Sequence, residues 1–227
     1  MLKKWEDLPK FMQTKEVREY YDILAKKGFS LRVKRCFDVV VSLVMIIVLL
    51  PVLAIISLLI AADSKGGVLF CQERVTQYGR RFKIFKFRTM VKDADKLGSQ
   101  VTVDNDMRIT KVGGVLRKYR LDELPQLFNI FLGDMSFVGT RPEVPKYVEK
   151  YTPKMIATLL MPAGVTSTAS IKYKDEAELL ETADDVDMVY IKKVLPQKMK
   201  YNLYDIRKFS AAEDIFTMID TVIAVLK

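Results

Sequence analysis

From Val39 to Ala62 the chain runs for about 24 residues without a charge, between Asp38 and Asp63. As a helix rising ~1.5 Å per residue, this stretch is long enough to cross a ~30 Å hydrocarbon core with some tilt. It is apolar on every face, which a soluble core helix of this length rarely is. Its late position and the lack of an A-x-A type site separate it from a cleaved signal peptide.

Pro51 divides the run into arms of roughly 12 and 11 residues, each about 16 to 18 Å long as helix and so half the hydrocarbon thickness. Proline removes a backbone donor and clashes one turn back, so a kink is expected near Val48 to Pro51. Basic residues flank both ends: Arg32, Lys34 and Arg35 before the run, Lys65, Arg74, Arg80 and Arg81 after it. Because Lys and Arg favour the cytoplasmic side, a re-entrant helix hairpin satisfies both flanks. A single-pass anchor with a tolerated proline is the competing reading.

A length of 227 residues accommodates one sizeable core with attachments. A net charge of +9 alongside 50% hydrophobic residues argues against a disordered basic tail and against an ordinary acidic cytosolic enzyme. It points to an anionic partner: phosphates, nucleic acid or a lipid surface. The absence of histidine excludes His-based triads, HExxH zinc sites and phosphohistidine chemistry. Acid, base or nucleophile work therefore falls to Asp, Glu, Lys, Tyr or Cys. Cys36 and Cys71 lie far apart without metal-type spacing and read as free thiols of a reducing compartment.

Ahead of the apolar run, Val17, Tyr20, Tyr21 and Leu24 fall at helical spacing within Lys15 to Lys27, and Gly28 suits a C-terminal stop. This predicts a short amphipathic helix near the bilayer surface or against the domain. After Asp63, "GVLFCQERV" and "RFKIFKFRTM" around the turn-like "TQYG" predict two short strands or an extended hairpin. From Arg74 to Lys92 every charged residue is positive. That stretch serves as a footing on anionic lipid, as a phosphate-binding wall or, with Phe82, Phe85 and Phe87, as a single-strand binder.

Val112, Val115, Leu116 and Tyr119 form a helical stripe. A second helix is predicted to begin near Asp122, since Asp caps well, Glu suits the first turn and Pro125 is tolerated only near a start. On pattern alone, Asp122 and Glu123 are either a cap with a dipole partner or a pair doing chemistry. "GDMSFVGTRPEVPKY" and "MPAGVTSTAS" read as loops, and Lys174 to Val194 as a helix rich in acids at its start. Ser210 and Glu213 make a capping box before an amphipathic C-terminal helix, a second surface-lying candidate. There are no repeats and no low-complexity linker.

Taken in order, "RVKRCFD", the proline-broken run, "DSKGGVLFCQERV", "FKIFKFRTM", "RKYRLDELPQLFNIFLGDMSFVGTRPE" and "PAGVT" resemble one family. It is that of the small monotopic polyprenyl-phosphate phosphoglycosyl transferases, the bacterial sugar transferases that begin glycoconjugate, capsule and O-antigen assembly. The resemblance implies a mainly α fold with short β-strands. A re-entrant membrane helix hairpin and surface-lying amphipathic helices would surround a small catalytic domain facing the cytoplasm at the bacterial inner membrane. On that reading residues 1–30 are an amphipathic extension, 31–63 the membrane helix broken at Pro51, and 64–227 the catalytic domain.

The activity implied is transfer of a sugar 1-phosphate from a UDP-sugar to undecaprenyl phosphate, with UMP leaving. By resemblance Asp122 is the nucleophile of a ping-pong mechanism with an aspartyl phosphosugar intermediate, and Glu123 helps to hold magnesium. Lys86, Arg117 and Arg141 match the family's phosphate-binding positions, and Arg88 joins them from the same basic wall. Membrane lipid is an expected partner and nucleic acid is not; a homodimer is left open. The chemistry is consistent with a chain lacking histidine, because an Asp at its usual pKa near 4 is ionised at neutral pH and needs no base to attack phosphorus. The cations offset the repulsion between carboxylate and diphosphate.

Overall fold

The computed structural model describes residues 2–94, 106–173 and 185–226. After two single 3-10 turns, helix α1 (Lys15–Ala25) begins at Thr14, whose Oγ1 accepts the Val17 N–H at 3.4 Å. Its stripe of Val17, Tyr20 and Leu24 is buried against Leu159, Leu160, Leu203 and Ile206. Of the two sites open to this helix, the structure selects the domain. Gly28 does not end α1; it starts α2 after a two-residue turn in which Lys27 leaves helical geometry, at φ −107° and ψ 26°.

Helix α2 (Gly28–Asp63) is long and apolar enough to cross a membrane. The expected division into two arms at Pro51 is not what the backbone forms: the helix continues through the proline as one element. Loss of one ladder hydrogen bond is outweighed by packing on both sides of it. Met45, Ile46 and Leu49 lie against Phe82, Ile84, Leu127 and Ile130, while Leu53, Ile56 and Ile60 are buried with Phe87 and Leu116. Each such apolar side chain contributes roughly 1.5–3 kcal/mol when fully buried. The opposite face, including Val44, Ile47, Val48, Ile55 and Leu58, is exposed.

Both ends of α2 are tied to the same domain. At the first end Arg35 donates to the carbonyls of Ile130 and Phe131 at 2.7 and 2.9 Å, and Asp38 accepts from Ser136 Oγ and the Phe137 N–H. At the other, Asp63 Oδ2 accepts the Val112 N–H at 3.0 Å and Arg88 donates to the Ser64 carbonyl at 2.6 Å.

Strands β1 (Leu69–Val75) and β2 (Arg81–Phe87) form the expected antiparallel hairpin, with Cys71 opposite Phe85 and Phe70 opposite Lys86. Helix α3 (Lys111–Lys118) is capped by Thr110 and lies so close to Thr89 that a Cβ on Gly113 would fall 2.1 Å from its carbonyl oxygen. Helix α4 (Gln126–Leu132) ends at Gly133, in the left-handed region at φ 89°. Asn129 of α4 joins helix to hairpin: its Oδ1 accepts the Phe85 N–H at 2.9 Å and its Nδ2 donates to the Lys83 carbonyl at 2.8 Å.

The two stretches read as loops are only partly so. Each contributes a strand, β3 (Met135–Val138) and β4 (Ala163–Thr166), paired in parallel. Short helices α5 (Pro145–Val148) and α6 (Thr168–Lys172) follow them. Four-residue strands flanked by Gly and Pro carry no readable alternation, so only their non-local pairing defines them. Of the helix expected over 174–194, the described part comprises α7 (Val186–Val189) and a π-helical turn (Tyr190–Val194), which runs into α8 (Leu195–Lys208).

The capping box is present, with the Glu213 N–H donating to Ser210 Oγ at 3.2 Å ahead of α9 (Ala211–Leu226). The faces of α9 are inverted for a soluble domain. Its polar side turns inward, Asp214 to Lys34 at 2.6 Å and Thr221 to Thr166 at 2.7 Å, while Ile215, Phe216, Ile219, Val222 and Ile223 are exposed.

Candidate active site

Three segments distant in sequence bring their charged residues to one point. Arg120, at φ 56° in the left-handed region, breaks the chain out of α3 and sets up a 3-10 turn over Leu121–Glu123, with the Glu123 and Leu124 N–H groups bonded back to Arg120 and Leu121. A non-glycine residue there is uncommon and marks a turn held by its surroundings. The anchor is apolar: Leu121 and Leu124, on either side of the two acids, pack on the Leu53, Ile56 and Ile60 face of α2. The acid pair is thereby fixed to the flank of the apolar helix.

Glu123 is clamped. Its Oε1 accepts from Lys86 Nζ of β2 at 2.8 Å and from Arg141 Nη2 of the loop after β3 at 2.7 Å. Burial alone would raise its pKa, but Arg141 and Lys86 outweigh that and hold the carboxyl far below the ordinary range. Burial pulls the Lys86 ammonium down, Glu123 pulls it up, and Arg141 pulls it down again.

Asp122, its neighbour, is in the opposite condition. It is buried at 9% exposure, and its side chain accepts no hydrogen bond among the described residues. It is not the helix cap that its sequence position suggests; α4 starts at Gln126, after Pro125, with no side-chain cap. Burial raises its pKa most, Glu123 adds to that, and Lys86, Arg117 and Arg120 oppose it. Lys86, Arg117 and Arg120 thus act on Asp122 through their charge.

Of the sequence-predicted residues, Asp122, Glu123, Lys86 and Arg141 thus come together, with Arg117 near enough to act on Asp122 through its charge. Arg88 is placed differently. The residue is 8% exposed, and its Nη2 donates to the Ser64 carbonyl and Ser64 Oγ at the end of α2, at 2.6 and 2.8 Å, while its Nε and Nη1 are buried without a partner among the described residues. Gly66, at φ 130°, makes room for it, since a Cβ there would lie 2.3 Å from Arg88 Nη1. Pro51 lies inside α2, on its exposed face.

Residues that pattern reading passed over hold the Arg141 loop. Arg74 Nη1 donates to the Pro142 carbonyl at 3.2 Å, and the buried Glu143 accepts from the Tyr190 hydroxyl at 2.5 Å. Tyr190 opens the π-helical turn, a geometry that recurs at functional sites. A lone Glu two residues after an Arg gives no sequence signal for such a role.

The donor set also bears on a metal. No group of three or more His, Cys, Asp or Glu side chains gathers among the described residues. Magnesium, however, is commonly held by one or two carboxylates completed by substrate phosphates and water. The adjacent Asp122 and Glu123 fit that mode, and no preformed cage.

The family model described as bacterial sugar transferase matches residues 29–227. The chain is 33% identical over 197 residues to the UDP-N-acetylgalactosamine-undecaprenyl-phosphate N-acetylgalactosaminephosphotransferase of Aeromonas hydrophila, covering 86% of this chain and 44% of that one. It is 37% identical over 172 residues to the undecaprenyl-phosphate glucose phosphotransferase of Komagataeibacter xylinus, covering 70% and 32%. To the UDP-glucose:undecaprenyl-phosphate glucose-1-phosphate transferase of Escherichia coli (strain K12) it is 36% identical over 173 residues, covering 73% and 37%. The chain spans less than half the length of each of these relatives.

Proposed function

The chain belongs to the bacterial sugar transferase family, and on that premise we propose that it transfers a sugar 1-phosphate from a UDP-sugar to undecaprenyl phosphate at a membrane surface. The observation that carries this reading is the contrast between the two adjacent acids: Glu123 clamped by Lys86 and Arg141, Asp122 recessed and accepting no hydrogen bond.

In the first half-reaction an Asp122 carboxylate oxygen attacks the phosphorus that bears the sugar. The bond from that phosphorus to the bridging oxygen breaks, and its electron pair leaves with UMP. In the second, an oxygen of the lipid phosphate attacks the same phosphorus, the aspartyl oxygen departs, and Asp122 is regenerated as a carboxylate. Both nucleophiles are anions already, so no strong base is needed. Lys86, Arg141 and Arg117 lower the repulsion that an anionic diphosphate meets on approach. Glu123 would hold magnesium, which would supply further neutralisation of charge on the leaving nucleotide.

Membrane attachment follows the same logic. A straight helix cannot cross a bilayer while Arg35 at one end and Asp63 at the other both bind the same water-soluble domain. We read α2 as entering the lipid from the cytoplasmic side of the inner membrane without leaving on the other. The outward apolar face of α9 lies in the interface beside it. Leu121 and Leu124 then hold the acids at headgroup depth, where the acceptor phosphate resides.

The relatives' names cover more than one sugar, so the donor is left as the class of UDP-sugars. A UDP-sugar panel assayed for UMP release with undecaprenyl phosphate in nanodiscs tests the proposal. One donor should release UMP only when the acceptor or a stoichiometric amount of enzyme is present; no release from any donor would refute it.

A further inference from the structure

Gln126 opens α4 three residues after Glu123 and four after Asp122, which lie in the 3-10 turn just before it. It is buried at 2% exposure, and its Nε2 has no hydrogen-bond partner among the described residues. A buried donor left unmet costs about 1–3 kcal/mol, and a methionine or leucine would fill the same space without that cost.

Asn129, a turn further along α4, is the internal comparison. It is buried at 0% and its amide is fully engaged, with Phe85, Lys83 and Asp134. Asn202 on α8 is a second comparison: buried at 4%, it leaves its Oδ1 acceptor unmet, so among these buried amides the unmet donor is that of Gln126.

Two open valences therefore lie within one turn: the Asp122 carboxylate, which accepts nothing, and the Gln126 amide, whose donor meets nothing. We infer that Gln126 Nε2 is a hydrogen-bond donor to a non-bridging oxygen of the phosphoryl group that Asp122 attacks. The inference rests on the phosphotransfer reading above and adds a catalytic residue to it.

Phosphorus in reach of Asp122 carries two non-bridging oxygens, on which charge persists through the transition state. A neutral donor suits this position because another cation would form an ion pair with Asp122 and mask the nucleophile, whereas an amide binds a carboxylate more weakly. The terminal amide torsion is broad, so the group turns to a ligand without moving the backbone.

The test compares Gln126→Met and Gln126→Glu with the unaltered protein in nanodiscs. UDP-N-acetylgalactosamine or UDP-glucose is the donor, whichever releases UMP, and acceptor lipid is omitted. Intact-mass quench gives the rate at which the phosphosugar adduct forms, and a melt gives stability. Both variants should form adduct at least tenfold more slowly with a donor KM within about threefold of normal, and Gln126→Met should melt at the same temperature or higher. Adduct formation within twofold of the unaltered rate in either folded variant overturns the inference while leaving the Asp122 reading intact. If the unaltered protein itself forms no adduct, the Asp122 reading fails and this inference with it.

Discussion

Lys86 and Arg141 converge on a single oxygen of Glu123, at 2.8 and 2.7 Å, one from a strand before the acid pair and the other from a loop after it. Neither of them reaches neighbouring Asp122, which accepts no hydrogen bond among the described residues. The contrast between two chemically similar acids is thus made by geometry rather than by residue type.

Asp122→Asn should abolish both UMP release and adduct formation, since an amide of the same shape cannot attack phosphorus. Glu123→Gln should retain some adduct formation but need a higher magnesium concentration for half-maximal rate. Intact-mass analysis across a magnesium titration separates the two variants; equal behaviour would contradict the assignment of roles.

Lys86→Met removes one of the two cations from Glu123 while Arg141 remains. Activity should fall by on the order of 100-fold, the usual effect of losing one electrostatic contact to a reacting group. Circular dichroism should show a folded protein, because the buried carboxylate keeps a partner. A loss of activity smaller than threefold would remove Lys86 from the site.

Tyr190→Phe takes a hydroxyl away from the buried Glu143 and should destabilise the protein by about 1–2 kcal/mol. Because Glu143 lies two residues from Arg141, the donor KM should rise several-fold. Tyr147→Phe is the control: its ring lies 4.8 Å from that of Tyr190, but its hydroxyl bonds to Asp187. It should leave KM unchanged.

Cys36 and Cys71 flank the apolar run, and both are exposed. In intact spheroplasts a membrane-impermeant maleimide should label neither, and in inverted membrane vesicles it should label both. Labelling of one cysteine in spheroplasts would mean that α2 crosses the bilayer.

Asp205 on α8 is pushed up to about 6 by burial, against hydrogen bonds from Thr168 that pull it down. A carboxyl raised above its unfolded value favours the fold fully below the unfolded pKa, and that stability is lost as pH rises through about 6. Asp205→Asn should therefore raise stability at pH ~7.5 by about 1 kcal/mol, after allowance for solvent screening, and change it little near pH ~3.5, below the unfolded pKa. Thermal melts at the two pH values check the sign.

Much of the fold was legible because it is local. Apolar length gives α2, the stripe of Val112, Val115 and Leu116 gives α3, the "TQYG" turn gives the β1–β2 hairpin, and Ser210 with Glu213 gives the start of α9. The parallel pair β3–β4 was not legible, since its strands find each other only across an intervening segment. The acid pair, Lys86 and Arg141 could be picked out by type and order, but Arg88 could not be told from them. Its Nη2 bonds to Ser64 at the end of α2, away from Glu123.

The sequence by itself determined that this chain carries a lipid-compatible helix and a surplus of phosphate-seeking cations, because those follow from composition and short-range spacing; Asp122 and Glu123 stand out from its other acids only through the family resemblance. Which carboxylate is clamped and which is free, which side of α2 is covered, and which face of α9 looks outward were decided only by tertiary structure. Each depends on partners that lie far away along the chain. Hydrogen bonds and Coulomb interactions fall off within a few ångströms, so proximity in space alone sets them.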